Sequence, residues 1–519
     1  VAPAAKFFAA ATVLLVLEIT RRTTGWALVI VASTLILYAF FGDMLPRAVK
    51  HTGFTFDVIV EHLFLLNEGV YGIPIGVATS TLFGFIMFGA FLERSKMSSI
   101  FMDLACLLTR NSQGGPAKVA IFASALFGTI SGSAAANVYG TGTFTIPLMK
   151  KVGYTPHFAG AVEAVASTGG QMMPPIMGAA AFIMADVIGV SYLTIAKAAL
   201  IPSVLYYLTL LAIIHLEAVS KNMGTLPPEL VPSAASVLRR LYYLFPLVFL
   251  ITILLMGRSV IACAYYGTVC IVILSMIRSE TRFTFKRLCG ALELSAKNAM
   301  MVSSCCACAG IIIGVISLTG IGYKFINVIT ALAGSNLLLL MAMLMVTCII
   351  LGMGVPTAPA YIIVATLGAP ALMKAGVPII AAHMFVYFYA ILSVITPPVC
   401  LAAFAGAAIA ETNAMKTGVT AMKLGIVAFI IPFMFVFEPA LLMQGSTTEI
   451  VTAFASALIG VIGIASGMQN WLLVRCRLWE RALLLASGLM LIFPGLITDT
   501  IGLSSLLIVL FAQRLRKGG

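Results

Sequence analysis

Residues 148–175 read LMKKVGYTPHFAGAVEAVASTGGQMMPP, and residues 372–398 read LMKAGVPIIAAHMFVYFYAILSVITPP. An offset of 224 residues carries Gly128 onto Gly352, Ser133 onto Thr357 and Leu148-Met149-Lys150 onto Leu372-Met373-Lys374. After a one-residue slip, Gly153 falls on Gly376 and Pro174-Pro175 on Pro397-Pro398. A proline inside a helix removes a hydrogen-bond donor and clashes with the preceding turn, whereas the first helical position accepts it. Each copy therefore reads as an interrupted helix. Ser167-Thr168-Gly169-Gly170-Gln171 and Ser393-Val394-Ile395-Thr396 are expected to be unwound, with fresh helices starting near Pro174 and Pro397.

Upstream of each copy lies an apolar stretch, 115–150 and 336–374, broken centrally by SGS (131–133) or GVPT (354–357). A membrane-spanning helix needs about 20 residues. The arms on either side of these breaks are shorter, so each stretch is expected to be a re-entrant hairpin that enters and leaves on one side.

The rest of the chain fits this setting. Of its 519 residues 61% are hydrophobic and 9% charged, and the mean hydropathy is +1.10. That is too apolar for a soluble fold. The short alternating segments of an outer-membrane barrel are absent. The fold class expected is an all-α polytopic membrane protein. Spans are expected at 5–20, 25–46, 73–93, 158–190, 194–216, 241–257, 259–277, 301–320, 379–410, 419–443 and 451–474, followed by a Pro-interrupted pair, 480–493 and 496–513. Segments 97–110, 283–298 and 322–333 read as interfacial helices.

The net charge of +13 does not point to nucleic acid, because the basic residues are spread over short connections. With 21–24 placed in the cytoplasm, only Lys6, Arg47, Lys50, Lys197, Arg258, Lys324 and Lys374 of the 31 Lys and Arg fall outside. This positive-inside bias puts the first hairpin on the cytoplasmic face and the second on the outer face. The ten cysteines include one cluster, Cys305, Cys306 and Cys308, whose spacing matches no structural zinc site; they read as small packing residues. Five scattered histidines give no metal cluster of the kind a membrane-embedded hydrolase requires, so no enzyme is expected.

Two halves of opposite orientation with broken helices at matching places are the mark of a secondary transporter whose site lies near the bilayer midplane. The unwound carbonyls can hold a cation, and new helix N-termini present positive dipole ends to an anion. The hairpin tips add Ser131, Gly132 and Ser133 on one side and Gly352, Gly354, Pro356 and Thr357 on the other. Glycine permits close backbone approach, and hydroxyls are hard oxygen ligands. These groups suit sodium or a carboxylate-bearing solute. Glu163, inside the first interrupted helix, is expected to carry a coupling proton or neutralise a bound cation; its alternative is a structural acid paired with Lys150 or Lys151. Its repeat position holds no acid. His383 reads as a satisfied helix histidine.

Residues 128–185, GTISGSAAANVYGTGTFTIPLMKKVGYTPHFAGAVEAVASTGGQMMPPIMGAAAFIMA, resemble the large membrane subunit of tripartite ATP-independent periplasmic (TRAP) transporters, specifically the TAXI subfamily. The likeness continues through LGMGVPTAPAYIIVATLGAPALMKAGVPIIAAHMFVYFYAILSVITPPV and covers about residues 70 to 443. It implies an elevator-type permease in the bacterial inner membrane, driven by an ion gradient and fed by a periplasmic substrate-binding protein. The cargo implied is a small organic acid anion, and the one bound species besides it would be sodium ions. By resemblance, cation sites fall to Gly128, Ser131, Ser133, Ser167, Thr168, Gln171, Gly352, Gly354, Thr357, Thr396 and Pro397; Glu163 joins the coupling residues as an acid within the membrane, and substrate contact is expected at Ser133, Asn137, Pro174, Pro356, Thr357 and Pro397.

Residues 1–46 resemble the last helices of the small subunit, fused in this subfamily. That subunit has four helices, so either sequence upstream of Val1 or an abbreviated fusion is expected. Residues 47–72 then form a linker, 73–216 the first repeat, 217–300 a connection with two helices and an interfacial helix, 301–443 the second repeat and 444–519 extra helices that include FPGLITD (493–499). The rival reading is a stand-alone divalent-anion-type sodium/carboxylate symporter, against which the fused N-terminal helices argue. A channel would have no need of paired hairpins with matched broken helices.

Overall fold

The breaks inside the two repeated segments fall where glycine and proline concentrate, whereas a single proline such as Pro202 is carried inside a 29-residue helix, Tyr192–Ser220. The computed structural model describes residues 3–46, 49–491 and 495–518. Arg47, Phe493 and Pro494, and with them the proline break and the start of FPGLITD, lie outside the described residues. Among the described residues the chain is helical, apart from one isolated bridge between Trp471 and Arg475. Among the described residues seven helices are long and apolar enough to cross a membrane. Large side chains such as Trp26, Ile30 and Leu37 stand more than half exposed on one of them, a surface that water would not tolerate at this density but lipid does.

The chain divides into two compact units. One comprises Val1–Met97, Gly178–Ile195 and Leu244–Val394; the other comprises Ser98–Met177, Ala196–Tyr243 and Ile395–Gly519. In the second unit a helical hairpin, Gly115–Ser131 and Ala134–Lys151, turns at Gly132. Gly132 has φ 62°, a left-handed conformation that glycine adopts without steric cost. The hairpin packs on helix Pro156–Gly169 (arm 1a), and helix Leu401–Ala410 (arm 2b) lies against both arm 1a and Ala134–Lys151. In the first unit a second hairpin, Leu337–Gly352 and Thr357–Lys374, packs on Ile379–Leu392 (arm 2a), and Ala179–Ile188 (arm 1b) lies against arm 2a and Thr357–Lys374. Each unit thus holds one hairpin, the first arm of one interrupted helix and the second arm of the other.

The breaks are displaced from where the prolines suggested. Arm 1a stays helical through Ser167, Thr168 and Gly169, and arm 1b begins only at Ala179. Arm 2a passes into a short 3-10 turn at Ser393–Ile395, and arm 2b begins at Leu401. The prolines therefore sit inside the irregular segments, not at the first turn of a new helix. A proline drives its predecessor out of the helical region, so a pair of them extends the break. The Pro174–Pro175 and Pro397–Pro398 bonds are both cis.

Three expected boundaries also move. Segment 283–298 is not a separate interfacial helix; it is the start of one 35-residue helix, Phe285–Thr319. The junction carries no breaker, and Lys297 pairs with Glu293 at 2.6 Å one turn apart, which supports the helix. Segment 419–443 is not one continuous helix: Ala414–Leu424 and Ile426–Phe437 meet at a 62° bend beside Gly425, and Pro432 sits in the first turn of the helix that follows. The span expected at 241–257 starts with a 3-10 turn, Leu241–Leu244, ahead of helix Phe245–Leu255. Helices Thr447–Gln469, Leu478–Met490 and Leu496–Gly518 close the chain as a packed trio.

Candidate functional site

In the second unit, hairpin 1 touches the break of arm 1a backbone to backbone. A Cβ on Gly128 would lie 2.6 Å from the Gly170 Cα and 2.7 Å from Asn137 Nδ2. Only glycine fits such an approach. Asn137 Nδ2 donates to the Ser124 carbonyl at 2.9 Å and lies 3.5 Å from the Ser167 carbonyl. At the tip, the Ser133 hydroxyl faces the Ala136 N–H at 3.5 Å as an N-cap, and the Ser131 hydroxyl lies 3.4 Å from the Ser133 carbonyl. Gln171 and Thr168 are buried; the Thr168 hydroxyl donates back to the Ala164 carbonyl at 2.7 Å. Pro174, Thr396 and Pro397 belong to this same unit.

Below this junction lies Glu163, fully buried. Its Oε1 accepts from the hydroxyls of Ser124 at 2.6 Å and Ser167 at 3.2 Å and from that of Thr141; its Oε2 accepts from Thr145. Four hydroxyls from three helices converge on one carboxyl, and among the described residues no basic side chain bonds to it. The expected pairing with Lys150 or Lys151 does not form. Lys150 Nζ instead donates at 3.2 Å to the carbonyl of Ala410, the last residue of arm 2b, where a cation meets the negative end of the helix dipole; Lys151 is exposed. The Tyr206 and Tyr207 hydroxyls go to the Val165 and Ala166 carbonyls, and Lys416 and Lys423 on the neighbouring helix Ala414–Leu424 are exposed. Ser124, Thr141 and Thr145 were missed in the sequence. The signal available was the spacing of Asn137, Thr141 and Thr145 along one helix face.

The first unit repeats the junction. A Cβ on Gly352 would lie 2.6 Å from Ser393 Oγ, and that hydroxyl sits 3.0 Å from the Gly352 carbonyl and 2.7 Å from the Ala390 carbonyl. Gly128 and Gly170 map onto Gly352 and Ser393 under the sequence repeat, so the two contacts are equivalent. Gly354 has φ 71°, Pro356 caps helix Thr357–Lys374, and Thr357 opens it, largely buried. His383 is a satisfied histidine, its Nδ1 2.8 Å from the Tyr361 hydroxyl.

The carboxyl cage is not repeated. The positions equivalent to Glu163, Ser124, Thr141, Thr145 and Ser167 are Val386, Cys348, Ala365, Ala369 and Ala390. All five are buried, and Gly368 packs against Val386 and Cys348 there. One architecture is thus built twice, once around a polar cluster and once around a dry one.

Comparisons with known proteins agree with this architecture. The family described as "Tripartite ATP-independent periplasmic transporter, DctM component" matches residues 11–450, and a domain of unknown function, DUF3394, matches residues 450–504. The C4-dicarboxylate TRAP transporter large permease protein DctM of Pseudomonas aeruginosa is 29% identical over 143 residues, 28% of this chain and 33% of that protein. The isethionate TRAP transporter permease protein DctMQ of Oleidesulfovibrio alaskensis is 36% identical over 91 residues, 18% of this chain and 14% of that protein. The sialic acid TRAP transporter permease protein SiaT of Haemophilus influenzae is 23% identical over 360 residues, 67% of this chain and 55% of that protein. The chain thus spans from 14% to 55% of these relatives' lengths. With the family match running through both hairpins and both interrupted helices, the chain belongs to the DctM component family of TRAP transporter permeases, as an all-helical, multi-pass membrane protein.

Proposed function

We propose that this chain is the permease of a binding-protein-dependent secondary uptake system of the TAXI type, seated in the bacterial inner membrane. It carries small organic acid anions by an elevator motion coupled to a sodium or proton gradient. The observation that supports this most directly is the doubled junction, Gly128 on Gly170 and Gly352 on Ser393. In both, a hairpin tip meets irregular backbone, which at membrane depth is tolerated where it is buried in protein or lines a wet cavity. Anionic cargo is supported by relatives named for C4-dicarboxylate, isethionate and sialic acid. The helices at 1–46 act as the fused remnant of a small subunit.

Substrate contact falls to Ser133, Asn137, Pro174, Pro356, Thr357 and Pro397. With no lysine or arginine among them, hydroxyls, amide and helix ends hold the anion. Sodium, if it is the coupling ion, is held by carbonyls and hydroxyls at Gly128, Ser131, Ser133, Ser167, Thr168, Gln171, Gly352, Gly354, Thr357 and Thr396. Glu163 couples the cycle to a proton. Its cage has an apolar counterpart in the other repeat, so the acid serves the transport cycle, not the packing.

The test is uptake into liposomes by the purified chain, with and without its cognate binding protein, under separately imposed sodium and proton gradients. The proposal expects uptake that needs both the soluble partner and one gradient. Indifference to both gradients refutes secondary transport. Full uptake without the partner turns the reading to a stand-alone symporter.

A further inference from the structure

The trio of helices that closes the chain carries a side-chain cluster at one end that transport does not use. Glu480 is buried at the start of helix Leu478–Met490. Its Oε2 accepts from the Arg477 N–H at 2.7 Å, Gln513 Nε2 at 3.0 Å and Arg516 Nη2 at 3.1 Å. Gln513, also fully buried, receives the Leu473 and Val474 N–H groups on its Oε1 at 3.0 and 3.3 Å. Arg516 reaches the Arg475 carbonyl at 2.7 Å, and Arg481 reaches the Gly467 carbonyl at 2.9 Å. This polar knot fixes the 470–477 turn against the last turn of the final helix. It thereby gathers Arg475, Arg477, Arg481, Arg514, Arg516 and Lys517 at one end around a single acid whose carboxylate is already engaged.

Arg475, Arg477, Arg514 and Lys517 are exposed. Apolar surface leads straight into them. On the final helix Ile508, Phe511 and Leu515 are 56%, 67% and 65% exposed, and Leu478 and Trp479 on the neighbouring helix are 87% and 44% exposed. The final helix is itself long and apolar enough, over Ile497–Lys517, to span a membrane. Exposed side chains of this kind lie in hydrocarbon, tryptophan favours the headgroup boundary, and guanidinium forks match phosphate oxygens. We infer that Arg475, Arg477 and Arg514 form a binding site for the phosphate headgroup of an anionic phospholipid. The excess charge is complementary to it, and the apolar skirt takes its acyl chains. Arg475 and Arg477 fall within the segment matched by a domain of unknown function, residues 450–504, and Arg514 lies beyond it; the role is separate from the transport site.

The experiment is lipid competition on the full chain in nanodiscs of mixed phosphatidylglycerol and phosphatidylcholine, with retained lipid counted after detergent extraction. A juxtamembrane cationic side chain is worth roughly a fivefold preference for anionic lipid. The triple variant R475Q/R477Q/R514Q is expected to lose at least about tenfold of the parent's preference, and R475K/R477K/R514K to keep most of it. R110Q/R282Q/K286Q removes the same charge elsewhere and is expected to lose clearly less of the preference than the first variant. Equal loss in that control, or an unchanged preference in the first variant, overturns the assignment. So does binding of inorganic phosphate alone that the first variant abolishes while lipid preference persists.

Discussion

Glu163→Gln separates the role of the carboxyl from that of its packing. The amide is nearly isosteric, and one of its two heteroatoms remains an acceptor for Ser124, Ser167 and Thr141. On the other side an NH2 replaces Oε2, so Thr145 must accept instead of donate. Its hydroxyl proton has an outlet at the Thr141 carbonyl, 3.2 Å away. The exchange costs about 1 kcal/mol in stability, the net worth of one rearranged hydrogen bond. The effect on coupling is of a different kind. In the proposed role one carboxyl would carry one proton per cycle, and a one-unit pH gradient supplies about 1.4 kcal/mol per proton, a factor of ten in accumulation. The assay is substrate accumulation in proteoliposomes with the binding protein present, membrane potential clamped, sodium equal on both sides and external pH stepped. The parent is expected to gain about tenfold per unit of imposed gradient and Glu163→Gln to gain nothing, while still folding and binding substrate. A parent with no slope, or a variant with the parent's slope, refutes the reasoning.

Other outcomes follow from the packing. Gly406→Ala would set a Cβ 2.4 Å from the Gly160 carbonyl oxygen. Overpacking costs about 1–3 kcal/mol and opposes a helix-propensity gain of about 1, so thermal unfolding in detergent is expected to show a net loss. Gly76→Ala, in helix Ile73–Val77 with open space around it, is the control and is expected to show no loss, keeping the propensity gain. Tyr361→Phe strips His383 Nδ1 of its hydroxyl partner and should lower stability by about 1–3 kcal/mol without altering the ion requirement of uptake. Glu480→Ala leaves Gln513 and Arg516 facing an empty knot. It should destabilise the closing trio by about 3 kcal/mol, read as earlier proteolysis between residues 470 and 478 with the transport site intact.

The repeat was legible in the sequence because its landmarks are backbone requirements. Gly128 and Gly352 stand where a Cβ would meet the facing segment at 2.6 Å, and with the proline pairs they recur at offsets within one residue of each other. The break points were less legible. Proline shows that a helix is interrupted, but the length of the interruption depends on what packs against it, and Ser167 and Thr168 stay helical while Met177 and Gly178 do not. The run through 285–319 was cut in two because the polar residues Lys297 and Asn298 resemble a surface turn, although nothing there breaks a helix. The Glu163 cage was least visible of all. Its hydroxyls come from three helices, and a serine or threonine on a membrane helix most often bonds its own backbone, as Thr168 does.

The exchange of arms has a consequence for how such a chain can be assembled. A cut in the connection at 221–233 would give two fragments, each keeping its hairpin but lacking the Leu401–Ala410 or Ala179–Ile188 segment that completes the packing around it. Neither fragment could finish its own core alone, and both together could.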